Sequence, residues 1–243
     1  MKTNAIRIKE YGGPEVLNYE EVDLNDLQPG EARICHSAIG LNFIDTYHRS
    51  GLYPMPLPTG LGSEAAGVVE AVAEDVTAVK VGDRVVYTGR PTDSYSDRRN
   101  FDADQLVPIP NDIEDDQAAA LFLKGLTAWY LLRKSYKVQA GDSILLHAAA
   151  GGVGLIACQW ASHLGANIIG VVSTEEKAEL AKSHGCNQII MADDDVAEKV
   201  LIYTDGEGVT AVYDSIGRDT FFASLNSLRP HGVMVTFGNA SGS

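Results

Sequence analysis

Residues 143–154 have the sequence SILLHAAAGGVG, and this stretch decides the fold. Its first half is predicted to be a buried strand, and a helix is predicted over about 152–164. From Ala149 the residues follow the pattern A-x-G-x-x-G, a dinucleotide-binding fingerprint in its required place between a strand and a helix. Gly151 allows close approach of a pyrophosphate, Gly154 allows tight helix packing, and the helix N-terminus supplies N–H donors. The predicted cofactor-binding residues of this loop are Ala149, Gly151, Gly152, Val153 and Gly154.

Apolar strands and amphipathic helices alternate after this loop. The predicted strands are 143–149, 167–172, 188–191, 210–214 and 232–237, and the predicted helices between them are 152–164, 175–184, 194–202 and 219–228. This alternation predicts a parallel sheet with helices on both faces, which binds its ligand at the carboxyl ends of the strands.

The first 110 residues have the pattern of short strands separated by turns, including 32–39, 65–72 and a strand within 81–87. The segment GLYPMPLPTGLG at 51–62 is predicted to be a loop. Near Pro110 the pattern changes to helical, and we expect Gly125 to separate two helices within 112–136. An all-β-like part over 1–110 and a doubly wound part from about 125 follow from this change.

Composition narrows the function classes. The chain has 243 residues and a net charge of −14, which disfavours general binding to nucleic acid or anionic lipid. It has no apolar run long enough to cross a bilayer and no apolar signal core at its start. Its three cysteines, Cys35, Cys158 and Cys186, are widely separated, which suits a reducing compartment. We expect a cytoplasmic protein.

The end of the predicted second Rossmann strand indicates which dinucleotide is bound. An NAD-preferring unit carries an acidic residue there, whereas this chain has Ser173 and Thr174, with Lys177 one helical turn later. A hydroxyl and a lysine suit a ribose 2′-phosphate, so the sequence favours NADPH bound by Ser173 and Lys177. Alternatively, Ser173 caps the helix with Glu176 completing a capping box, and Lys177 is a solvated charge. The two interpretations are compatible.

Five segments together resemble the NADPH:quinone oxidoreductase family, the zeta-crystallin-like, zinc-free branch of the medium-chain dehydrogenase/reductases. They are GGPEV at 12–16, NFIDTY at 42–47, GLYP at 51–54, FLKGLTA at 122–128 and HAAAGGVG at 147–154. The resemblance implies an α/β protein with a GroES-like β-rich catalytic domain over 1–124 and a Rossmann NADPH-binding domain over 125–243. It also implies a small-molecule quinone or activated-alkene substrate and, in the full-length family, a homodimer.

The resemblance allows a test for zinc. Related alcohol dehydrogenases have a catalytic Cys where this chain has Asn42, and a His-Glu pair where it has Ser63 and Glu64. Asn and Ser are poor zinc ligands, and residues 88–105 contain no cysteine for a structural zinc. An enzyme without metal is expected to reduce an acceptor that needs little activation, such as a quinone or an activated alkene.

The family pattern also implies roles for individual residues. It places Asn42 and Tyr47 beside the nicotinamide as catalytic residues, with Asn42 also contacting the cofactor and the Tyr47 hydroxyl donating to a quinone oxygen. Taken alone, Asn42 is equally typical of a turn, and Tyr47 of a half-buried aromatic with an exposed tip. Asp45 and Glu64 are expected to make structural hydrogen bonds rather than act as an acid–base pair. Further cofactor contacts are implied for Thr127, Ser215, Phe237 and Asn239.

Two departures from the family pattern stand out. A tyrosine often follows the third Rossmann strand and holds the adenosine phosphate, but here Asp193, Asp194 and Asp195 follow Met191, and they are typical of a helix cap. Family members also continue past residue 243 with a sixth strand and much of the dimer contact. We therefore expect a truncated chain with impaired activity, a doubtful dimer, and an exposed edge at strand 232–237.

Three functions remain open on the sequence alone. The first is NADPH-dependent quinone reduction, and the second is alkenal or enone reduction on the same scaffold. The third is NADPH or RNA binding without turnover. For RNA, the basic cluster of Arg90 with Arg98 and Arg99 is small and mixed with acids at 93 and 97.

Overall fold

The computed structural model describes residues 1–90 and 92–242. Pro91 and Ser243 lie outside the described residues. The chain divides into two compact units, Met1–Leu123 and Lys124–Ser243. The assignment of 1–124 to catalysis and 125–243 to NADPH binding remains a proposal.

Antiparallel strands dominate the first unit. Its strands are β1 (Lys2–Ile8), β2 (Asn18–Asp23), β3 (Glu31–Gly40), β4 (Thr59–Gly60), β5 (Glu64–Val72), β6 (Arg84–Thr88), β7 (Arg98–Asp102) and β8 (Val107–Pro108). They form a sheet of order β7-β3-β5-β6-β8 and a smaller sheet of order β2-β1-β4. The side chains that fill the core of the larger sheet include Ile34, Val69, Val85 and Phe101. This β-rich unit is the one the sequence predicts.

A helix of the first unit was missed by sequence reasoning. Residues Phe43–Ser50 form helix α1, directly after β3. The surrounding strand pattern concealed it because the helix has only eight residues, too few for a helical period to stand out. Its C-terminal residue is followed by Gly51 with φ of 82°, the left-handed conformation in which glycine commonly ends a helix.

The second unit contains the predicted parallel sheet. Its strands are β9 (Ser143–His147), β10 (Asn167–Val172), β11 (Gln188–Met191), β12 (Val209–Asp214) and β13 (Leu228–Thr236). Their spatial order is β11-β10-β9-β12-β13, and the described pairs are all parallel. Numbered along the unit, this order is 3-2-1-4-5, that of a doubly wound dinucleotide-binding sheet. The predicted fold class is confirmed.

Helices cover both faces of this sheet. They are α2 (Asp115–Tyr130), which crosses the unit boundary and continues into a π-helical turn (Leu131–Ser135), then α3 (Gly152–His163), α4 (Glu175–Ser183), α5 (Val196–Tyr203) and α6 (Phe221–Asn226). Alternate residues of β9 face opposite sides, because side chains alternate along a strand. Ile144 and Leu146 pack in the cluster that contains residues of α3 and α4, whereas Leu145 packs in the cluster that contains residues of α5.

Two boundaries differ from the prediction. Gly125 does not end a helix, because α2 continues through it. A mid-helix glycine costs only about 1 kcal/mol relative to alanine, which tertiary packing outweighs. Strand β13 begins at Leu228 rather than 232, because its pairing with β12 shifts register between Val209 and Ala211. His231, with φ of 64°, lies in that irregular stretch.

Strand β13 pairs with β12 alone and forms one edge of the sheet among the described residues. Across residues 1–90 and 92–242, none of the helices combines the length and the apolar character that crossing a membrane requires.

Candidate functional site

The loop after β9 has a tight, fixed backbone. Ala148 has φ of 51°, and its carbonyl accepts a hydrogen bond of 2.8 Å from the Gly151 N–H. Helix α3 begins at Gly152, immediately after Gly151 in extended conformation. The strand–turn–helix context that the fingerprint requires is therefore present, and Ala149 is fully buried within it.

Gly154 permits the closest backbone contact of this loop. A Cβ atom at this position would lie 2.4 Å from the carbonyl oxygen of Ala148 and 2.5 Å from that of Ala149. Both neighbours are backbone atoms, so an additional carbon would force the loop itself to move. This matches the role expected of the last fingerprint glycine, which allows the helix to pack against the strand.

Gly152 is covered by a lysine that the predicted site omits. A Cβ at Gly152 would lie 2.8 Å from Cδ and 3.0 Å from Cε of Lys124. The lysine stem therefore lies across the first residue of α3, on the positive end of the helix dipole. Thr127 follows Lys124 by three residues in α2, so the two side chains share a helix face. Nothing in the spacing of the sequence indicates that Lys124 meets Gly152.

Apart from Thr127, the predicted cofactor residues of the second unit lie in the loops and first helical turns that follow β9, β10, β12 and β13. The strand order reverses between β9 and β12, and doubly wound sheets bind dinucleotides at such a switch point. The narrow turn, the glycines and the helix N-terminus with the Lys124 stem across it together fit a pyrophosphate. The loops and first helical turns at this edge of the sheet carry Ala149, Gly151, Gly152, Val153, Gly154, Ser173, Lys177, Ser215, Phe237 and Asn239.

Ser173 and Lys177 pair with each other after β10. The Lys177 Nζ donates to Ser173 Oγ at 3.0 Å, and both are exposed. The helix cap is Thr174, whose Oγ1 accepts from the Lys177 N–H at 3.3 Å. The interpretation of Ser173 as the cap is therefore wrong. Because the adjacent threonine caps α4, the Ser173 hydroxyl is available to a ligand together with the lysine ammonium.

The loop after β12 is fixed by Asp214, which sequence reasoning did not single out. Its buried carboxylate accepts hydrogen bonds from the Ile216 N–H at 2.8 Å and from Thr220 Oγ1 and Ser224 Oγ at 2.7 Å each. His147 Nε2 lies 3.0 Å from Ser224 Oγ. Burial alone raises the pKa of Asp214, but these hydrogen bonds and His147 outweigh it and hold the pKa below its usual value.

Asp214 therefore positions Ser215, the next residue. Ser215 lies against the segment that follows β13, because a Cβ at Gly238 would be 2.7 Å from the Ser215 carbonyl oxygen. The Ala240 N–H also donates to that oxygen, at 3.3 Å. Ser215, Phe237 and Asn239 consequently belong to two loops in direct contact.

One of the three acids after β11 caps the next helix. Asp195 is the N-cap of α5, and its Oδ1 accepts from the Glu198 N–H at 3.0 Å. Asp194 Oδ2 accepts from the Met191 N–H at 3.2 Å and lies 3.4 Å from the Lys199 ammonium.

In the first unit, two buried carboxylates hold Asn42. Its Nδ2 donates to Glu64 Oε2 at 2.7 Å, and its backbone N–H donates to Asp45 Oδ2 at 3.0 Å. Asn42 is the N-cap of α1 and is 4% exposed. Its side-chain amide is thus oriented by one carboxylate and its backbone by the other. The structural hydrogen bonds expected of Asp45 and Glu64 are present.

Each carboxylate has further donors. Asp45 accepts from Ser63 Oγ at 3.2 Å and from Tyr95 OH at 2.8 Å, and Glu64 accepts from the Leu123 N–H. Burial raises the pKa of Asp45, and these hydrogen bonds oppose that rise. Gly40 makes room for Glu64, since a Cβ there would lie 2.3 Å from Glu64 Oε2.

Tyr47 lies one turn into α1 and is buried, not half-exposed. Its ring packs edge-to-face with Phe43 at 5.4 Å and with Tyr53 at 5.1 Å between centroids. Leu41 and Phe43, on either side of Asn42, are instead 74% and 61% exposed. A polar, fixed Asn42 thus lies between two exposed apolar side chains.

A histidine network supports the larger sheet of this unit. His36 Nδ1 lies 2.6 Å from the Ser96 carbonyl oxygen and must donate to it, so Nε2 accepts from Tyr87 OH at 2.8 Å. Burial lowers the pKa of His36 to about 4. Burial also lowers the pKa of His48 and of His147.

We expect the free energy of unfolding to fall as the pH is lowered from about 6.5 to about 4. In that window the unfolded chain binds more protons on these histidines than the folded chain does, so stability rises with pH. His36 accounts for at most about 3 kcal/mol of the change. The raised pKa of Asp45 acts in the opposite direction. Urea denaturation at several pH values measures the slope, which the substitution His36→Phe should reduce; an unchanged slope in that variant would contradict the assignment.

Among residues 1–90 and 92–242, no three His, Cys, Asp or Glu side chains are grouped as metal ligands would be. Asn42 and Ser63, the positions aligned with zinc ligands of related dehydrogenases, instead donate hydrogen bonds to carboxylates.

Both units match known family models. Residues 28–111 match the alcohol dehydrogenase GroES-like domain, and residues 152–243 match the zinc-binding dehydrogenase family. The first match confirms the GroES-like character expected of the β-rich unit.

Three relatives illustrate the similarity. The chain is 54% identical over 239 residues to a quinone oxidoreductase of Pseudomonas aeruginosa, covering 98% of this chain and 74% of the relative. It is 48% identical to a 2-haloacrylate reductase of a Burkholderia species, covering 98% of this chain and 74% of that protein. The crystal structure of Escherichia coli quinone oxidoreductase complexed with NADPH superposes with a TM-score of 0.94 at 50% identity, over 99% of this chain and 74% of that one.

Proposed function

Since this chain belongs to the quinone oxidoreductase family, we propose that it is an oxidoreductase that transfers a hydride from NADPH to a quinone without zinc. The relatives at 50–54% identity and the NADPH complex of one of them support this proposal. The observation that carries it is the glycine turn of the second unit, where Gly154 leaves no room for a side chain beside the Ala148 and Ala149 carbonyls.

The proposal assigns roles to both units. Ser173 and Lys177 would hold the 2′-phosphate, and the N-terminus of α3 with the Lys124 stem beside it would hold the pyrophosphate. The bound cofactor would supply the hydride. Asn42, fixed by Glu64 and Asp45, would orient the nicotinamide or the acceptor through its amide. Tyr47 would donate its hydroxyl to the oxygen on which charge develops.

Zinc independence is part of the proposal because of the chemistry of the residues at the ligand positions. Asn and Ser are poor zinc ligands, and here each is bonded to a carboxylate. A homodimeric state, suggested by the family resemblance, and a cytoplasmic location, suggested by the widely separated cysteines, are also proposals. Sedimentation analysis of the purified chain tests the former.

A second candidate is the reduction of an activated alkene. The 48% identity to a 2-haloacrylate reductase favours it, because that relative acts on an alkene conjugated to a carboxylate. The two functions share the hydride donor and differ only in the acceptor, so assays with both acceptors separate them.

The proposal is tested by titrating the chain with NADPH and NADH while following fluorescence, and then measuring NADPH oxidation with 1,4-benzoquinone or 2-chloroacrylate. We expect NADPH to bind at least about tenfold more tightly than NADH, which corresponds to about 1.4 kcal/mol. We also expect faster turnover with the quinone. Faster turnover with the acrylate would favour the second candidate, and binding without turnover of either would indicate a non-catalytic protein.

A further inference from the structure

One carboxylate oxygen of Asp45 accepts two hydrogen bonds. Its Oδ2 accepts both the Asn42 N–H at 3.0 Å and the Tyr95 hydroxyl at 2.8 Å, while its Oδ1 accepts the Ser63 hydroxyl at 3.2 Å. The carboxylate is 4% exposed and comes from α1, Tyr95 comes from the loop before β7, and Ser63 immediately precedes β5. Three separate segments thus converge on the group that holds the backbone of Asn42.

Tyr95 is itself held firmly in place. Its N–H donates to the Leu61 carbonyl oxygen at 2.9 Å, and its own carbonyl accepts from the Ile6 N–H at 2.7 Å. Gly62, with φ of 90°, lies against its ring, and a Cβ there would be 2.3 Å from Cδ1 of the tyrosine. The ring therefore passes over a bare glycine to reach the carboxylate, and a larger residue at 62 would block that path.

We infer that Tyr95 is a positioning residue for catalysis, which acts through the Asp45 carboxylate to hold Asn42 and helix α1 in their working arrangement. The inference rests on the proposed function, because Asn42 is assigned there to the cofactor or the acceptor. It gives the segment just before β7, which carries Tyr95, a role in orienting Asn42.

The ionised form of Asp45 is the one that accepts three hydrogen bonds. Burial favours the neutral form and raises the pKa of Asp45, whereas the bonds from Asn42, Tyr95 and Ser63 oppose this rise. Removal of the Tyr95 hydroxyl therefore raises the pKa of Asp45 further. On protonation, one carboxyl oxygen carries a hydrogen and becomes a donor. It then accepts hydrogen bonds less well, which weakens the contacts that hold Asn42.

Other charged groups act on this cluster. His48 on α1 favours the ionised form of Asp45, and burial lowers the pKa of His48. The positive charge of Arg49 lowers the pKa of Tyr95, and that of Arg90 lowers the pKa of His48. Glu64 lies on the other side of Asn42 and bonds its side-chain amide. All of them remain in a Tyr95→Phe variant.

The first test compares the pH profile of kcat for NADPH and 1,4-benzoquinone between the wild type and Tyr95→Phe. A hydrogen bond to a charged group corresponds to a pKa change of about one unit or more. We therefore expect the acidic limb of the profile to move up by about one pH unit. At the low-pH end of that limb, kcat of the variant is expected to be about tenfold below that of the wild type at the same pH. At the alkaline plateau it should lie within about twofold of the wild type. The KM for NADPH stays unchanged.

A matched control is available in the second unit. Tyr136 OH donates to Asp142 Oδ2 at 3.0 Å, the same tyrosine–carboxylate bond away from the Asn42 cluster. Tyr136→Phe should leave the acidic limb in place. An equal shift in both variants, or none in Tyr95→Phe, would overturn the inference.

A second readout needs no turnover. The exchange rate of the Asn42 amide hydrogen, measured by NMR without cofactor, should rise about tenfold in Tyr95→Phe and stay constant in Tyr136→Phe. If Tyr95→Phe does not fold, Ser63→Ala removes another donor to the same carboxylate and should shift the limb in the same direction. If the wild type does not turn over the quinone but the Asn42 amide hydrogen exchanges faster in Tyr95→Phe, the quinone function is rejected. The role of Tyr95 in holding Asn42 is then still supported. Unchanged exchange in both donor variants would reject the inference.

Discussion

The substitution Gly154→Ala is expected to weaken NADPH binding by at least about 100-fold, which corresponds to about 2.7 kcal/mol. The added carbon would lie 2.4 Å from the Ala148 oxygen and 2.5 Å from the Ala149 oxygen, distances at which backbone must move. Ala148 already has φ of 51° and accepts the hydrogen bond that closes the turn. Displacement of this turn redirects the N–H groups proposed to bind the pyrophosphate. Fluorescence titration measures the affinity, and circular dichroism establishes that the variant is folded.

Two other glycines serve as controls for Gly154. At Gly152 the nearest atoms belong to the flexible Lys124 side chain, so Gly152→Ala should weaken binding less. At Gly125 no atom other than the adjoining backbone of its own helix lies within 4 Å of the added carbon, and the residue is inside α2. Gly125→Ala should therefore leave affinity unchanged and stabilise the chain by about 0.5–1 kcal/mol. Equal losses in all three variants, or none at Gly154, would mean that close packing at the turn is not what the cofactor requires.

The architecture of the second unit follows largely from local sequence. Strand β10 occupies Asn167–Val172 as predicted, because a short apolar run bounded by polar and glycine residues has few alternatives to a buried parallel strand. The A-x-G-x-x-G pattern fixes the turn after β9 for steric reasons that act within six residues. Such short-range constraints can be predicted from a single sequence without any knowledge of distant contacts.

The arrangement around Asn42 did not follow from sequence, because its partners are distant in the chain. Glu64 is 22 residues from Asn42, and Tyr95 is 50 residues from Asp45. The strands that join them pair by long-range hydrogen bonds, whose register no local pattern specifies. The expectation that Asp45 and Glu64 make structural bonds was correct in kind, but the identity of their donors required the fold. The omission of Lys124 has the same cause.

The N-cap of α4 is another feature that the sequence alone does not determine. Ser173 and Thr174 are adjacent hydroxyl residues, and both are suitable N-caps. The structure selects Thr174, since the Lys177 N–H donates to its Oγ1. The choice depends on where β10 ends and the chain turns, a difference of one residue that composition does not encode. It has a functional consequence, because it leaves the Ser173 hydroxyl to Lys177 and to a ligand.

The double substitution Ser173→Asp with Lys177→Ala is expected to reduce the preference for NADPH over NADH by at least about 100-fold. In the proposed complex, Lys177 and the Ser173 hydroxyl both bond the 2′-phosphate, and bonds to a charged group contribute about 1.5–3 kcal/mol each. An aspartate at 173 repels the phosphate and accepts a bond from the free 2′-hydroxyl of NADH. The side chains changed are exposed and paired only with each other in the described contacts, so the fold should tolerate the change. The measured quantity is the ratio of the two dissociation constants.

Thr174→Ala separates recognition from helix stability. It removes the cap of α4 and should lower the free energy of unfolding by about 1 kcal/mol without changing the NADPH to NADH ratio. If the double variant instead keeps the wild-type ratio, the 2′-phosphate is bound elsewhere in the chain. If Thr174→Ala changes the ratio as strongly as the double variant, the position of α4 rather than the chemistry of Ser173 and Lys177 sets the cofactor preference. Only a large change in the double variant alone supports direct recognition, because only that variant alters charge at the end of β10 while leaving the helix cap in place.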